Sequence, residues 1–224
     1  MITSASNPRL KLIRRLHSRA QRQRLGLFVC EGEDLVNAGC AAGAEPVDVL
    51  VAGEDVEQSL LADVSTLGHP PRIIAVFRRA DLPRKGVTDA GLALWHVSDS
   101  GNVGTLIRAG DAFGAGLYLS EGCADPTGPR ALRASMGAIF RVPLGRFDDA
   151  PGRRIALVPR DGRPLPEVDL DGPVTFVLGA EREGLPGDLV AGCDETASIP
   201  LAEGAESLNV AAAGAIALYE RMRR

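Results

Sequence analysis

The sequence predicts an α/β protein in two parts, on three observations. Short β-prone runs alternate with amphipathic stretches along the whole 224-residue chain. A polar stretch at 81–90, with Pro83 and Gly86, has no clear period and divides the chain into 1–88 and 89–224. In the second part, glycine and polar residues interrupt apolar runs at their C-terminal ends, where parallel α/β sheets bind ligands.

The elements follow in order. Residues 8–25 read as a helix with Leu12, Ile13, Leu16 and Ala20 on one side and most arginines elsewhere on its surface. A short strand at 28–30 precedes a helix at 31–43. A strand at 47–52, a helix at 57–67 and a strand at 72–77 complete the first part. The second part opens with a strand at 91–98. A helix at 102–113 follows, between Gly101 and Gly114, and then a strand at 116–120. Pro129 starts a helix carrying Leu132, Met136 and Ile139. Strands follow at 142–144, 155–158 and 174–178, the last the most β-prone run of the chain. A turn at 181–187, a short helix at 186–191, a strand at 196–201 and a long Ala-rich helix from near Ser207 finish it.

Composition narrows the function classes. Hydrophobic content of 45% and charged content of 24% are those of a soluble globular protein. No apolar run approaches the roughly 18 residues of a membrane span, and the N-terminus lacks a secretory apolar segment. Cys30, Cys40, Cys123 and Cys193 form no CxxC pair, which argues against a disulfide scaffold or zinc site and for a reduced, cytoplasmic setting. His17, His69 and His96 have no metal-ligand spacing. Neither GxGxxG nor a P-loop is present. Residues 1–30 hold seven basic side chains and no acid, so the remaining 18 basic and 29 acidic residues give −11. A basic arm on an acidic body suits a polyanion such as nucleic acid; a solvated helix face explains it equally well.

Three stretches carry candidate chemistry: 99–108, 178–185 and 199–209. Taken singly each has a plain explanation. Asn102 or Ser207 caps a helix, Arg108 pairs with Asp111, Gly179 ends a strand, and Glu181 and Glu183 are surface acids. Their order and spacing say more. Gly101-Asn102-Val103-Gly104-Thr105-Leu106-Ile107-Arg108 resembles the first motif of the SpoU/TrmH family of RNA ribose 2′-O-methyltransferases, in the SPOUT superfamily. Residues 133–141 (RASMGAIFR) resemble the segment that follows it. Leu178-Gly179-Ala180-Glu181 with Gly184-Leu185 resembles the second motif. Ile199-Pro200-Leu201 with Glu206-Ser207-Leu208-Asn209 resembles the third. Ala180 stands where many members carry Asn, and Leu201 where many carry Met. Residues 4–11 and Glu31-Gly32 are more loosely similar to the substrate-binding domain that precedes the catalytic domain in ribosomal-RNA members.

The resemblance implies a C-terminal SPOUT-type α/β domain with a trefoil knot, S-adenosylmethionine as cofactor, a homodimer and an RNA substrate. It implies cofactor contacts from Leu178, Gly179, Ile199, Leu201 and Leu208. Arg108 would be the catalytic centre, with Asn102, Glu181, Ser207 and Asn209 positioning groups around it. An arginine stays charged at working pH, so clamping the RNA phosphate suits it better than acting as base. RNA phosphates would be held by Arg9, Lys11, Arg14, Arg15, Arg133 and Arg141. Ribosomal RNA of the large subunit is the expected substrate. A tRNA 2′-O-methyltransferase or a non-catalytic ribosome-assembly factor are the rivals. The reading includes no metal and no membrane.

Overall fold

A computed structural model describes residues 1–84 and 88–224, so the predicted hinge at 81–90 falls partly outside the described residues. The chain forms two compact units, one of residues 1–82 with 125–141, the other of 83–124 with 142–224.

The first unit begins with α1 (Pro8–Leu16) and α2 (Arg19–Leu25), then β1 (Leu27–Glu31), α3 (Glu33–Ala41), β2 (Asp48–Val51), α4 (Gln58–Val64) and β3 (Ile73–Arg78). The single helix expected over 8–25 is two. Ser18 is extended, with ψ 129°, and breaks the run. Asn7 caps α1 by accepting the Arg9 N–H, and Pro8 follows at the first helical position, where its missing N–H costs nothing. The three strands form a sheet in the order β1-β3-β2, both pairs antiparallel. Leu10, Ile13 and Leu16 of α1 lie in one core with Val29, Leu50, Leu61 and Ile74.

Arg22 is the exception to the expectation that most of the helix's arginines lie on the surface. It is 4% exposed. Its guanidinium donates to the Leu16 and His17 carbonyls, which the end of α1 leaves without helical partners. It also pairs at 2.8 Å with Asp125, itself 7% exposed. Arg79 reaches Asp125 at 3.1 Å. Segment 125–141 is thereby tied into the first unit, and Phe140 packs on Phe28 and Phe77 with ring centroids 5.9 and 5.2 Å away. Its helix, Pro129–Ser135, stops before Met136. Met136 and Gly137 are left-handed, so Met136 and Ile139 are not on the predicted helix.

The second unit contains β4 (Ala90–Leu94), α5 (Ser100–Phe113) and β5 (Gly116–Leu119). Helix α6 is the Pro129–Ser135 segment of the first unit. Then come β6 (Leu144–Arg146), β7 (Arg153–Leu157), β8 (Arg163–Pro164), β9 (Val174–Leu178), α7 (Gly187–Ala191), β10 (Glu195–Ser198) and α8 (Val210–Met222). The strands make a seven-stranded sheet, β6-β5-β4-β9-β7-β10-β8, parallel at every pairing. Strands β4 and β9 are buried at every residue, as central strands covered on both faces must be. From β4 the chain runs outward to β5 and β6 on one side, whereas β9, β7, β10 and β8 fill the other. The strand order reverses between β4 and β9, and a parallel sheet opens a crevice at such a place.

Three of the boundaries that differ from expectation bear on the site. The strand predicted over 91–98 ends at Leu94, and residues 95–98 turn away. The strand over 196–201 ends at Ser198, because Pro200 has no N–H to continue a ladder. The last helix starts at Val210 with Asn209, not Ser207, as its cap.

Candidate active site

The site forms where three loops leave the C-terminal ends of β4, β9 and β10. Leu94 pairs with Leu178 in register, so the loops after these two strands begin side by side. The first enters α5 through Asp99, whose carboxylate accepts the Asn102 N–H at 2.9 Å. Asp99 is therefore the cap, and the Asn102 side chain is left to reach outward. It donates from Nδ2 to Glu181 Oε1 at 2.8 Å. Its Oδ1 accepts from Asn209 Nδ2 at 3.1 Å. Asn209 also caps α8, its Oδ1 accepting from Ala211 and Ala212 at 2.9 and 3.3 Å. Helix N-termini demand an acceptor, so the cap fixes which end of the Asn209 amide faces Asn102. Three of the five predicted catalytic residues are thus one hydrogen-bonded chain.

Beside this chain lies a cavity of about 500 Å³, within the size range of small-ligand sites. All five predicted cofactor residues, Leu178, Gly179, Ile199, Leu201 and Leu208, are on its wall, and Glu181 and Ser207 join them. Gly179 has a local reason to be glycine. A Cβ there would lie 2.2 Å from the Gly184 backbone, because the loop doubles back through an Ala180–Gly184 bridge. The tight turn keeps loop 179–185 against the cavity.

Two parts of the cavity were not read from the sequence. Leu157, Val158 and Pro159 supply wall from the end of β7. The signal was present: an apolar run ending in Pro159-Arg160-Asp161-Gly162 has the same strand-then-turn form as the other stretches. Glu183 and Glu206 add carboxylates to that of Glu181, against the single basic Arg182. Apolar walls with an excess of acid suit a ligand that joins a flat heterocycle to a cationic centre, and S-adenosylmethionine is such a ligand.

Arg108 stands apart. It is exposed on α5, about 9 Å along the helix axis from Asn102. It has no hydrogen-bond or ion-pair partner among the described residues and does not line the cavity. A guanidinium without a local partner is available to an external anion.

The predicted phosphate contacts all fall in the first unit. Arg9 is engaged by the Asp48 carboxylate and the Val49 carbonyl, Arg14 donates to the Ala5 carbonyl, and Arg133 donates to Thr66 Oγ1. Lys11, Arg15 and Arg141 are exposed. No helix of the described residues is long and apolar enough to cross a membrane. The described residues hold no group of three or more His, Cys, Asp or Glu placed to bind a metal.

Comparison with known proteins agrees with this geometry. Residues 89–219 match the model of the SpoU rRNA methylase family, and residues 7–75 match that of the MRM3-like substrate binding domain. A Synechocystis protein described as an uncharacterized tRNA/rRNA methyltransferase is 30% identical, covering 100% of this chain and 93% of its own. The Bacillus subtilis 23S rRNA (guanosine(2553)-2′-O)-methyltransferase RlmP is 29% identical over 97% of both. An AdoMet-bound rRNA methyltransferase from Sinorhizobium meliloti superposes with a TM-score of 0.87 at 28% identity, covering 99% of this chain and 97% of the other. The chain belongs to the SpoU rRNA methylase family, whose members are S-adenosylmethionine-dependent RNA methyltransferases.

Proposed function

We propose that this protein transfers a methyl group from S-adenosylmethionine to a ribose 2′-hydroxyl of 23S ribosomal RNA. The observation that carries the reading is the convergence of the five cofactor residues on one cavity, with the Asn102–Glu181–Asn209 chain at its edge. RlmP, similar over nearly its whole length, supports large-subunit RNA as the substrate.

The cofactor supplies an electrophilic methyl carbon on a sulfonium. That methyl carbon would pass to the ribose 2′-oxygen as the sulfur becomes a neutral thioether, and the hydroxyl proton would pass to solvent water. Leu178, Ile199, Leu201 and Leu208 offer apolar wall to the adenine, and the backbone of the Gly179 loop offers polar groups. The carboxylates of Glu181, Glu183 and Glu206 complement the positive charge. Arg108 holds an RNA phosphate and, through it, orients the ribose. Asn102, Ser207 and Asn209 position groups at the reacting hydroxyl. Most of the rate gain then comes from alignment.

The first unit serves as the RNA-binding part, with Lys11, Arg14, Arg15, Arg133 and Arg141 facing phosphates and Arg9 contributing beside Asp48. The active form is a cytoplasmic homodimer with a trefoil knot in the second unit. Ile216, Tyr219 and Met222 on α8 are 39%, 53% and 56% exposed, an apolar face suited to a second copy.

The test is labelled S-adenosylmethionine with separate ribosomal-RNA and tRNA pools, followed by mapping of any 2′-O-methyl nucleotide. Transfer to 23S rRNA is expected. Transfer to tRNA alone would replace the substrate, and cofactor binding without transfer to any RNA would favour an assembly factor.

A further inference from the structure

His96 is held in the second unit in a backbone conformation that non-glycine residues seldom adopt. The strand that should continue through it stops at Leu94, and His96 takes a left-handed backbone with φ 53°. Residues other than glycine rarely adopt this region, and where they persist the surroundings over-determine them. Here the surroundings do so on three sides. The His96 N–H donates to Ser120 Oγ at 2.9 Å. One face of the imidazole lies on Trp95, with centroids 4.6 Å apart and planes 6° from parallel. Gly122 also lies against the ring, where a Cβ would sit 2.6 Å from both Cγ and Cδ2.

Trp95 is itself anchored. Its backbone N–H donates to the Leu178 carbonyl at 2.8 Å, and its ring meets Phe147 in a T-shaped arrangement with centroids 5.3 Å apart. The histidine ring is therefore rigid, yet His96 is exposed and its ring nitrogens have no partner among the described residues. Held against Trp95 and Gly122, the exposed imidazole offers its ring nitrogens, one donor and one acceptor in the neutral form. The ring stands over the ends of β4 and β5. The cavity fills the ends of β9 and β7. His96 lies on the loop from β4 into α5, the helix whose first turn carries Asn102.

We propose that His96 is a specificity residue that reads the base edge of an unpaired RNA nucleotide next to the methylated one. Glu121, exposed beside Gly122, disfavours a phosphate at this place and favours a neutral base edge. Unstacked RNA is commonly read in this way, by hydrogen bonds to base edges. The assignment rests on the methyltransferase reading above.

The experiment compares wild type with His96→Phe, His96→Asn and Gly122→Ala, using the RNA that wild type methylates. His96→Phe keeps a ring on Trp95 but has no ring nitrogens. His96→Asn suits the left-handed backbone and removes the ring. Gly122→Ala pushes the ring off its place while leaving His96 intact. Each variant is expected to raise KM for RNA roughly three- to tenfold, the value of one hydrogen bond, with S-adenosylmethionine affinity unchanged. His96→Asn serves as the folded comparison if phenylalanine strains the turn. A folded His96→Phe or His96→Asn protein with wild-type KM for RNA overturns the assignment. So does a parallel loss of cofactor affinity, which marks a purely structural role. Failure of the underlying reading looks different, because wild type then transfers methyl to no RNA.

Discussion

Asn209 bonds in two directions at once: Oδ1 caps α8 at Ala211 and Ala212, and Nδ2 donates to Asn102 Oδ1 at 3.1 Å. The cap sets the polarity of everything beyond it. Asn102 must turn its Nδ2 to Glu181, and one carboxylate oxygen of Glu181 is thereby held while the side chain lines the cavity.

Asn209→Asp tests that polarity. Aspartate caps a helix as well as asparagine does, so Tm should hold or rise slightly. Its second oxygen would meet Asn102 Oδ1, forcing that amide to flip and present oxygen to Glu181. Loss of a hydrogen bond to a charged group predicts a fall in kcat/KM of about 10- to 100-fold. Adding Glu181→Gln restores a donor at the far end, so the double variant should recover at least part of the loss. A double variant no better than Asn209→Asp refutes the account.

Arg108→Ala should leave cofactor affinity and Tm near wild type, since the side chain touches neither the cavity wall nor any partner among the described residues. Methyl transfer should drop by about 100-fold or more if the guanidinium clamps phosphate. Single-turnover kinetics and calorimetry separate the two quantities. Retained activity would remove Arg108 from the site.

Gly179→Ala places a methyl group 2.2 Å from the Gly184 backbone, which has no flexible end to yield. Loop 179–185 must open, carrying Glu181 and Leu185 with it. The expected result is a loss of S-adenosylmethionine affinity of about tenfold or more, equal to 1.4 kcal/mol, read by titration calorimetry.

Asp125→Asn probes the first unit. Burial pushes the Asp125 pKa up, but Arg79, the hydrogen bonds from Thr127 and Arg22 outweigh it and hold the carboxyl below its usual range. Removing one partner of a buried pair costs about 3–5 kcal/mol, or roughly 6–20 °C in Tm at about 2–4 °C per kcal/mol. The sign with pH follows from the lowered pKa. Stabilisation is complete above the unfolded pKa of about 3.9 and is lost as pH falls through the folded value. The Tm gap between wild type and variant should therefore stay constant from about pH 7 to 5 and close only below about pH 4. A gap that closes near neutrality would contradict this linkage.

Much of this protein is local. The alternation of strands and helices, the β-prone run at Val174–Leu178 and the Asp99 start of α5 are written within a few residues, because periodicity and capping act at that range. The motifs also named the cavity walls at 178–185 and 199–208, but not Leu157, Val158 and Pro159. What tertiary structure decided is which distant groups meet. Asn102 finds Glu181 79 residues away and Asn209 107 residues away only because β9 inserts beside β4. Arg22 looked like another surface arginine until Asp125, 103 residues on, buried it. Asn209 displaced Ser207 as the cap, and His96 left its predicted strand for a left-handed turn. Strand order and long-range pairing are properties of the whole chain, and no window of sequence holds them.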